Sequence, residues 1–211
     1  MNNRHRNNPL STKNMQLNPK IKAILIKIKP WAIYIALFLV LRYSGILAGV
    51  SDVTHRALLQ TGAMNANTAP VKENKKFNYN FELLDLNQTK IDVSEFKGKT
   101  IFLNLWATWC GPCRAEMPSI QSLYEKVDRD KVAFIMLSID HNDPFTKVPK
   151  YIQSNDFTFP VYYPAGTLPQ LLQVRSIPTT FVIAPDGSVI YSEMGTANYD
   201  TEEFKNFLEQ R

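Results

Sequence analysis

Residues 77–211 of this chain predict an α/β fold: a mixed central sheet with helices on both faces, led by an N-terminal strand pair. Three observations predict it. The runs Thr100 to Trp106 and Val132 to Ile139 are short, apolar and rich in strand-forming residues, the pattern of strands buried on both faces. Between them Met117, Ile120, Leu123, Tyr124 and Val127 recur with helical spacing. A hairpin pattern and an amphipathic segment follow, and about 135 residues suffice for one core.

The elements follow in order. Phe77 to Leu86 and Lys90 to Val93 read as a strand pair with a polar Asn87-Gln88 turn, and Phe96 to Lys99 leads into the strand at Thr100. A helix runs from Cys113 to about Val127, with Pro118 expected to kink it. After the strand at Val132, Pro144 to Asn155 reads as helical, and Phe159 to Tyr163 is extended before a short helix at Leu168 to Gln173. Thr179 to Ala184, the turn Pro185-Asp186-Gly187 and Ser188 to Ser192 form a hairpin. Asp200 to Gln210 closes the chain as a helix with Phe204, Phe207 and Leu208 on one face.

The segments before this domain differ in character. Residues 1–30 carry seven Lys or Arg and no acid, a basic arm. Residues 31–50 (WAIYIALFLVLRYSGILAGV) are apolar over about the twenty residues needed to cross a hydrocarbon core. Arg42 is the one charge within them, at a cost of about 2.5 to 3.5 kcal/mol at a helix centre and less near the interface. A buried core helix would carry a polar stripe, and a cleaved signal peptide would show a small-residue cleavage pattern, so an uncleaved transmembrane helix is expected. The basic arm then stays cytoplasmic and the domain lies on the extracytoplasmic side. Residues 51–76 read as a linker.

The net charge of +5 belongs to the arm. Residues 57–211 carry 15 basic and 18 acidic residues, so nucleic-acid binding has no support in the domain's composition.

The chain's only two cysteines are Cys110 and Cys113, in Trp109-Cys110-Gly111-Pro112-Cys113. If they open a helix, Cys110 sits at its cap, where unpaired N–H groups and the helix dipole favour a thiolate. Cys113 lies one turn in, more buried and near enough to close a disulfide ring. Cys110 is then the nucleophile and Cys113 the resolver of thiol-disulfide exchange. Pro112 suits the first turn, and Gly111 lets another backbone approach the outer sulfur. Competing readings are a structural disulfide, which so short a loop would stabilise little, and half a zinc site. The scattered His5, His55 and His141 supply no matching ligand pair for zinc, and a chance spacing of inert core thiols is the third alternative.

The run Phe102-Leu-Asn-Leu-Trp-Ala-Thr-Trp-Cys-Gly-Pro-Cys-Arg-Ala-Glu-Met-Pro118, with Ser176-Ile-Pro-Thr-Thr-Phe-Val-Ile183 downstream, resembles thioredoxin-fold proteins. More narrowly it is similar to the membrane-anchored thiol-disulfide reductases of the TlpA and ResA kind. The resemblance covers residues 77–211 and implies that Pro178 is a cis-proline packed beside the disulfide, with the Ile177 backbone pairing with substrate. Trp109 and Pro178 would frame the contact. Thioredoxin has a buried Asp six residues before the first cysteine, where this chain has Asn104; in ResA-like proteins an acid three residues after the second cysteine does comparable work, which is Glu116 here. The resemblance further implies disulfide-bearing protein substrates, a transmembrane thiol donor that restores the dithiol, and a role in cytochrome c maturation. It implies no metal or organic cofactor beyond the redox-active Cys110–Cys113 disulfide.

Two other classes remain open. A peroxiredoxin-like thiol peroxidase wants a P-x-x-x-T-x-x-C setting, but Thr108 stands two residues before Cys110 and no proline lies where that motif needs one. A tethered chaperone would hold clients on the apolar surface around Trp109 and Pro178 without chemistry.

Overall fold

The computed structural model describes residues 31–40, 62, 64–68 and 75–210. The chain divides into two units, Met1–Leu47 and Ala48–Arg211. In the first, residues 31–40 are helical and their large apolar side chains are exposed. Among the described residues no helix is long and apolar enough to cross a membrane. The expected span 31–50 extends into residues 41–50, which lie outside the described residues, as do the arm 1–30 and most of the linker 51–76.

In the second unit a seven-stranded sheet has the order β2-β1-β5-β4-β3-β6-β7. Its strands are β1 (Glu82–Leu84), β2 (Lys90–Asp92), β3 (Thr100–Trp106), β4 (Val132–Ser138), β5 (Val161–Pro164), β6 (Thr179–Ile183) and β7 (Val189–Met194). Three helices join them: α1 (Gly111–Lys126), α2 (Pro144–Ser154) and α3 (Glu202–Glu209). β3 is central, parallel to β4 with Asn104 opposite Met136, and antiparallel to β6 with Asn104 opposite Thr180. Parallel pairing needs a long crossover, and α1 supplies it.

Every residue of β3 and β4 is buried, so alternation sends successive side chains into two cores. Phe102, Trp106, Phe134 and Met136 join Cys113, Met117 and Ile120 of α1, Val148 and Ile152 of α2, and Phe204 and Leu208 of α3. Ile101, Leu103, Leu105, Ile135 and Leu137 join Phe77, Leu83, Val93 and Leu172 on the other side. The same alternation puts Asn104, between Phe102 and Trp106 in its register, into the core beneath α1.

The expectation of helices on both faces is corrected here. Among the described residues of this unit, α1, α2 and α3 bury their apolar residues in the first core, whereas the second is covered by 3₁₀ turns at Val93–Phe96 and Gln170–Leu172 and by residues before β2. The expected helix at Leu168 to Gln173 is the second of these turns. It starts after Pro169 without a side-chain cap and stops at Gln173, too short for a stable α-helix. The expected first strand is also shorter, because local turns compete with the ladder: Asn78 Oδ1 accepts the Asn80 N–H at 2.9 Å, and Tyr79 O accepts the Phe81 N–H at 2.9 Å.

Part of the segment read as linker lies against the domain. Ala66 N–H donates to Asn198 O at 3.0 Å, Asn198 N–H donates to Met64 O at 2.7 Å, and Ala66 is buried in the first core.

Candidate active site

At the C-terminal end of β3, where parallel sheets collect binding sites, the chain turns through Ala107 to Trp109 into α1. Cys110 is the N-cap of α1, its extended φ and ψ of −85° and 105° aiming Sγ back at the helix. The Cys113 N–H donates to that sulfur at 3.2 Å. Cys110 and Cys113 are joined in a disulfide with Cα atoms 5.3 Å apart. The two cysteines differ in access: Cys110 is 6% exposed and Cys113 is 0% exposed. An incoming group meets Cys110 first.

Asp140, just past the end of β4, holds this turn. Its carboxylate accepts the Thr108 N–H at 2.9 Å and the Thr108 hydroxyl at 2.6 Å, and Ser138 Oγ donates to it at 2.9 Å. Trp109, the next residue, is 64% exposed, a large apolar group beside the disulfide with no burial to explain it.

The Ile177–Pro178 peptide bond is cis, and Ile177 O lies 3.8 Å from Cys110 Sγ. Pro178 is buried, its carbonyl accepting the Gly195 N–H at 2.9 Å, while Ile177 is half-buried beside the sulfur. Gly111 and Pro112 are half-buried as well, and the Thr196 hydroxyl donates to Pro112 O at 3.4 Å. Five of the expected site residues, Trp109, Gly111, Pro112, Ile177 and Pro178, thus flank the disulfide that two more, Cys110 and Cys113, form.

The eighth, Glu116, lies one turn beyond Cys113, fully buried in the core. Asn104 Nδ2 donates to its Oε1 at 2.8 Å, and the Ala197 N–H donates to its Oε2 at 3.3 Å. Burial pushes the carboxyl up from 4.5 to about 8; these two hydrogen bonds oppose the shift and the nearby Glu193 adds to it. A buried acid that titrates near neutrality can take or give a proton inside the core. Among the described residues no group of three or more His, Cys, Asp or Glu could hold a metal ion.

Four residues of this site have roles that the sequence does not reveal. Asn104 reads there as a missing acid, not as the partner of Glu116. Thr180 and Tyr199 continue from it, Asn104 Nδ2 donating to Thr180 Oγ1 at 2.9 Å and the Tyr199 hydroxyl donating to the same oxygen at 2.8 Å. Asp140 carried one usable signal, an acid immediately after a buried parallel strand.

Comparison with known proteins agrees with this geometry. The Redoxin family model matches residues 69–209. "Thiol-disulfide oxidoreductase ResA" of Bacillus thuringiensis subsp. konkukian is 38% identical over 132 residues, 62% of this chain and 72% of the relative. The protein of the same name from Bacillus subtilis is 35% identical over 120 residues, 56% of this chain and 65% of the relative. In fold alone, a thiol-disulfide isomerase from Corynebacterium glutamicum superposes with a TM-score of 0.54 at 15% identity, over 67% of this chain and 99% of that one. With a disulfide between the cap and the first turn of α1 and this relationship to known proteins, the chain belongs to the Redoxin family, as a thioredoxin-fold thiol-disulfide oxidoreductase of the TlpA/ResA type.

Proposed function

We propose that this oxidoreductase works as a reductase of protein disulfides, tethered through residues 31–50 with residues 77–211 on the extracytoplasmic side of the membrane. The observation that carries the reading is the asymmetry of the two cysteines: Cys110 at the helix cap, touched by the Cys113 N–H and slightly exposed, above a fully buried Cys113 one turn before Glu116. In the dithiol, the Cys110 thiolate attacks one sulfur of a substrate disulfide, forming a mixed disulfide and expelling the other substrate sulfur as thiolate. Glu116 in its charged form takes the Cys113 proton, and the Cys113 thiolate attacks Cys110 Sγ. The mixed disulfide breaks, the second substrate thiolate leaves, and two electrons have passed to substrate.

Trp109, Gly111 and Pro112 on one side and Ile177 and Pro178 on the other form the contact surface. The half-buried Ile177 backbone beside Cys110 suits an extended segment, whose sheet-like pairing gives affinity without demanding much sequence. The resulting Cys110–Cys113 disulfide has to be reduced again. In an oxidising compartment that requires a transmembrane thiol donor. Apocytochrome c cysteines awaiting haem are the substrate class that the TlpA/ResA resemblance favours.

Trapping tests the assignment. Cys113→Ala in the full-length chain should accumulate disulfide-linked partners on Cys110, and Cys110→Ala should not; equal yields reverse nucleophile and resolver. A reduction potential of about −270 mV supports a reductase, and one of about −120 mV makes the protein an oxidant.

A further inference from the structure

Both oxygens of Glu116 face donors: Asn104 Nδ2 meets Oε1 at 2.8 Å and the Ala197 N–H meets Oε2 at 3.3 Å. That setting suits a carboxylate. A carboxylic acid carries a hydroxyl hydrogen that needs an acceptor, and neither partner provides one in this arrangement. Burial nevertheless favours the acid form.

The missing acceptor lies on Asn104 itself. The residue is 0% exposed, and its amide oxygen Oδ1 has no hydrogen-bond partner while Nδ2 serves both Glu116 and Thr180. Thr180 Oγ1 receives two donors, Asn104 Nδ2 and the Tyr199 hydroxyl. A half-turn of the amide about its Cβ–Cγ bond exchanges the two ends. Oδ1 then accepts from protonated Glu116 and from the Thr180 hydroxyl, and Tyr199 still donates to Thr180. One amide atom lacks a partner in either orientation, oxygen in one and nitrogen in the other. The burial penalties are therefore of similar size, and the charge on Glu116 decides between the two.

We propose that Asn104 is a two-position switch, turning its amide nitrogen to Glu116 when the carboxylate is charged and its amide oxygen when the carboxylate takes a proton. It is a positioning residue acting through Glu116, and the proposal rests on the acid-base reading of Glu116 above. The other groups facing Glu116 are Cys113 on its own helix, Glu193 and Tyr191 of β7, and Tyr199 in the loop after β7. The two tyrosines are held well above their ordinary range, chiefly by burial, so they stay neutral hydrogen-bonding groups. Glu193 adds only a repulsive charge that favours the proton on Glu116.

The test is an NMR titration of the full-length oxidised chain with 15N-labelled Asn side chains and 13C-labelled Glu carboxyls. As pH falls through the Glu116 midpoint, the cross-peak from the Asn104 amide protons to Thr180 should drop severalfold, and those protons should move upfield as they lose their acceptors. A cross-peak that stays constant while Glu116 titrates overturns the switch. Glu116 that does not titrate between pH 4 and 10, or a Glu116→Gln chain whose mixed-disulfide resolution keeps the wild-type pH profile, overturns the acid-base reading instead. In a parallel arm, Asn104→Ala removes the donor to the anion and the acceptor for the acid together. The Glu116 midpoint should therefore move by well under one pH unit, with less than a tenfold change in resolution below it; a rise of a full unit or more means that Asn104 serves the anion alone and overturns the switch.

Discussion

The backbone amide and hydroxyl of Thr108 both bind one carboxylate, that of Asp140, at 2.9 and 2.6 Å. A residue two positions before the outer cysteine is thereby pinned to the end of the neighbouring parallel strand. The pairing sets where the Trp109–Cys110 turn enters α1, so the position of the outer sulfur depends on a residue outside the C-x-x-C motif.

Asp140→Ala should therefore cost about 1–3 kcal/mol, because it strands the Thr108 N–H and hydroxyl. Exchange with a model disulfide should slow by about tenfold or more, since small displacements of a reacting group are expensive. Asp140→Asn keeps the shape and should fall between. Denaturant unfolding and exchange rates measured on the same samples check this.

Glu116 makes stability depend on pH with a definite sign. Its carboxyl holds a proton up to about 8 in the folded chain against 4.5 ordinarily, so between these values unfolding releases a proton. Stability is unaffected by this group below about pH 4.5, falls as pH rises to about 8, and then levels off, a loss of a few kcal/mol in order of magnitude. Glu116→Gln should flatten that decline in urea titrations at pH 5, 7 and 9. An equal slope in both proteins would sink the assignment.

Trp109 separates function from stability. At 64% exposure its removal leaves the core intact, so Trp109→Ala should change unfolding free energy by no more than about 0.5 kcal/mol. Engagement of protein disulfides should weaken severalfold, read as a higher KM for a protein substrate with little change for a small disulfide.

Phe102 gives the opposite pattern. Fully buried, it stacks on Phe134 at 4.8 Å and meets Tyr199 edge-on at 5.2 Å, linking sheet and C-terminal segment. Phe102→Ala should cost about 3–5 kcal/mol in denaturant unfolding.

Much of the core was legible because its signals are local. Alternation in β3 and β4, helical spacing in α1 and the single cysteine pair each lie within a few consecutive residues, and physical chemistry acts on them at that range. The cover of the second sheet face departs from expectation for the same reason: residues around Leu168 have a helix-compatible pattern, but only the packed sheet shows that one 3₁₀ turn delivering Leu172 is enough. Residues 64–66 carry no local signal of order because the partner of Met64 and Ala66, Asn198, is far along the chain.

By itself the sequence determined the chemistry available to this protein: two thiols one helical turn apart, an acid one turn further, and a proline loop to meet them. Tertiary structure decided how that chemistry is tuned. Packing α1 across β3 brings Asn104 against Glu116 and strips water from both, and the close of β4 delivers Asp140 to Thr108. Those contacts join residues that no spacing rule connects, because solvent exclusion and hydrogen-bond geometry exist only once separate elements have been brought into one core.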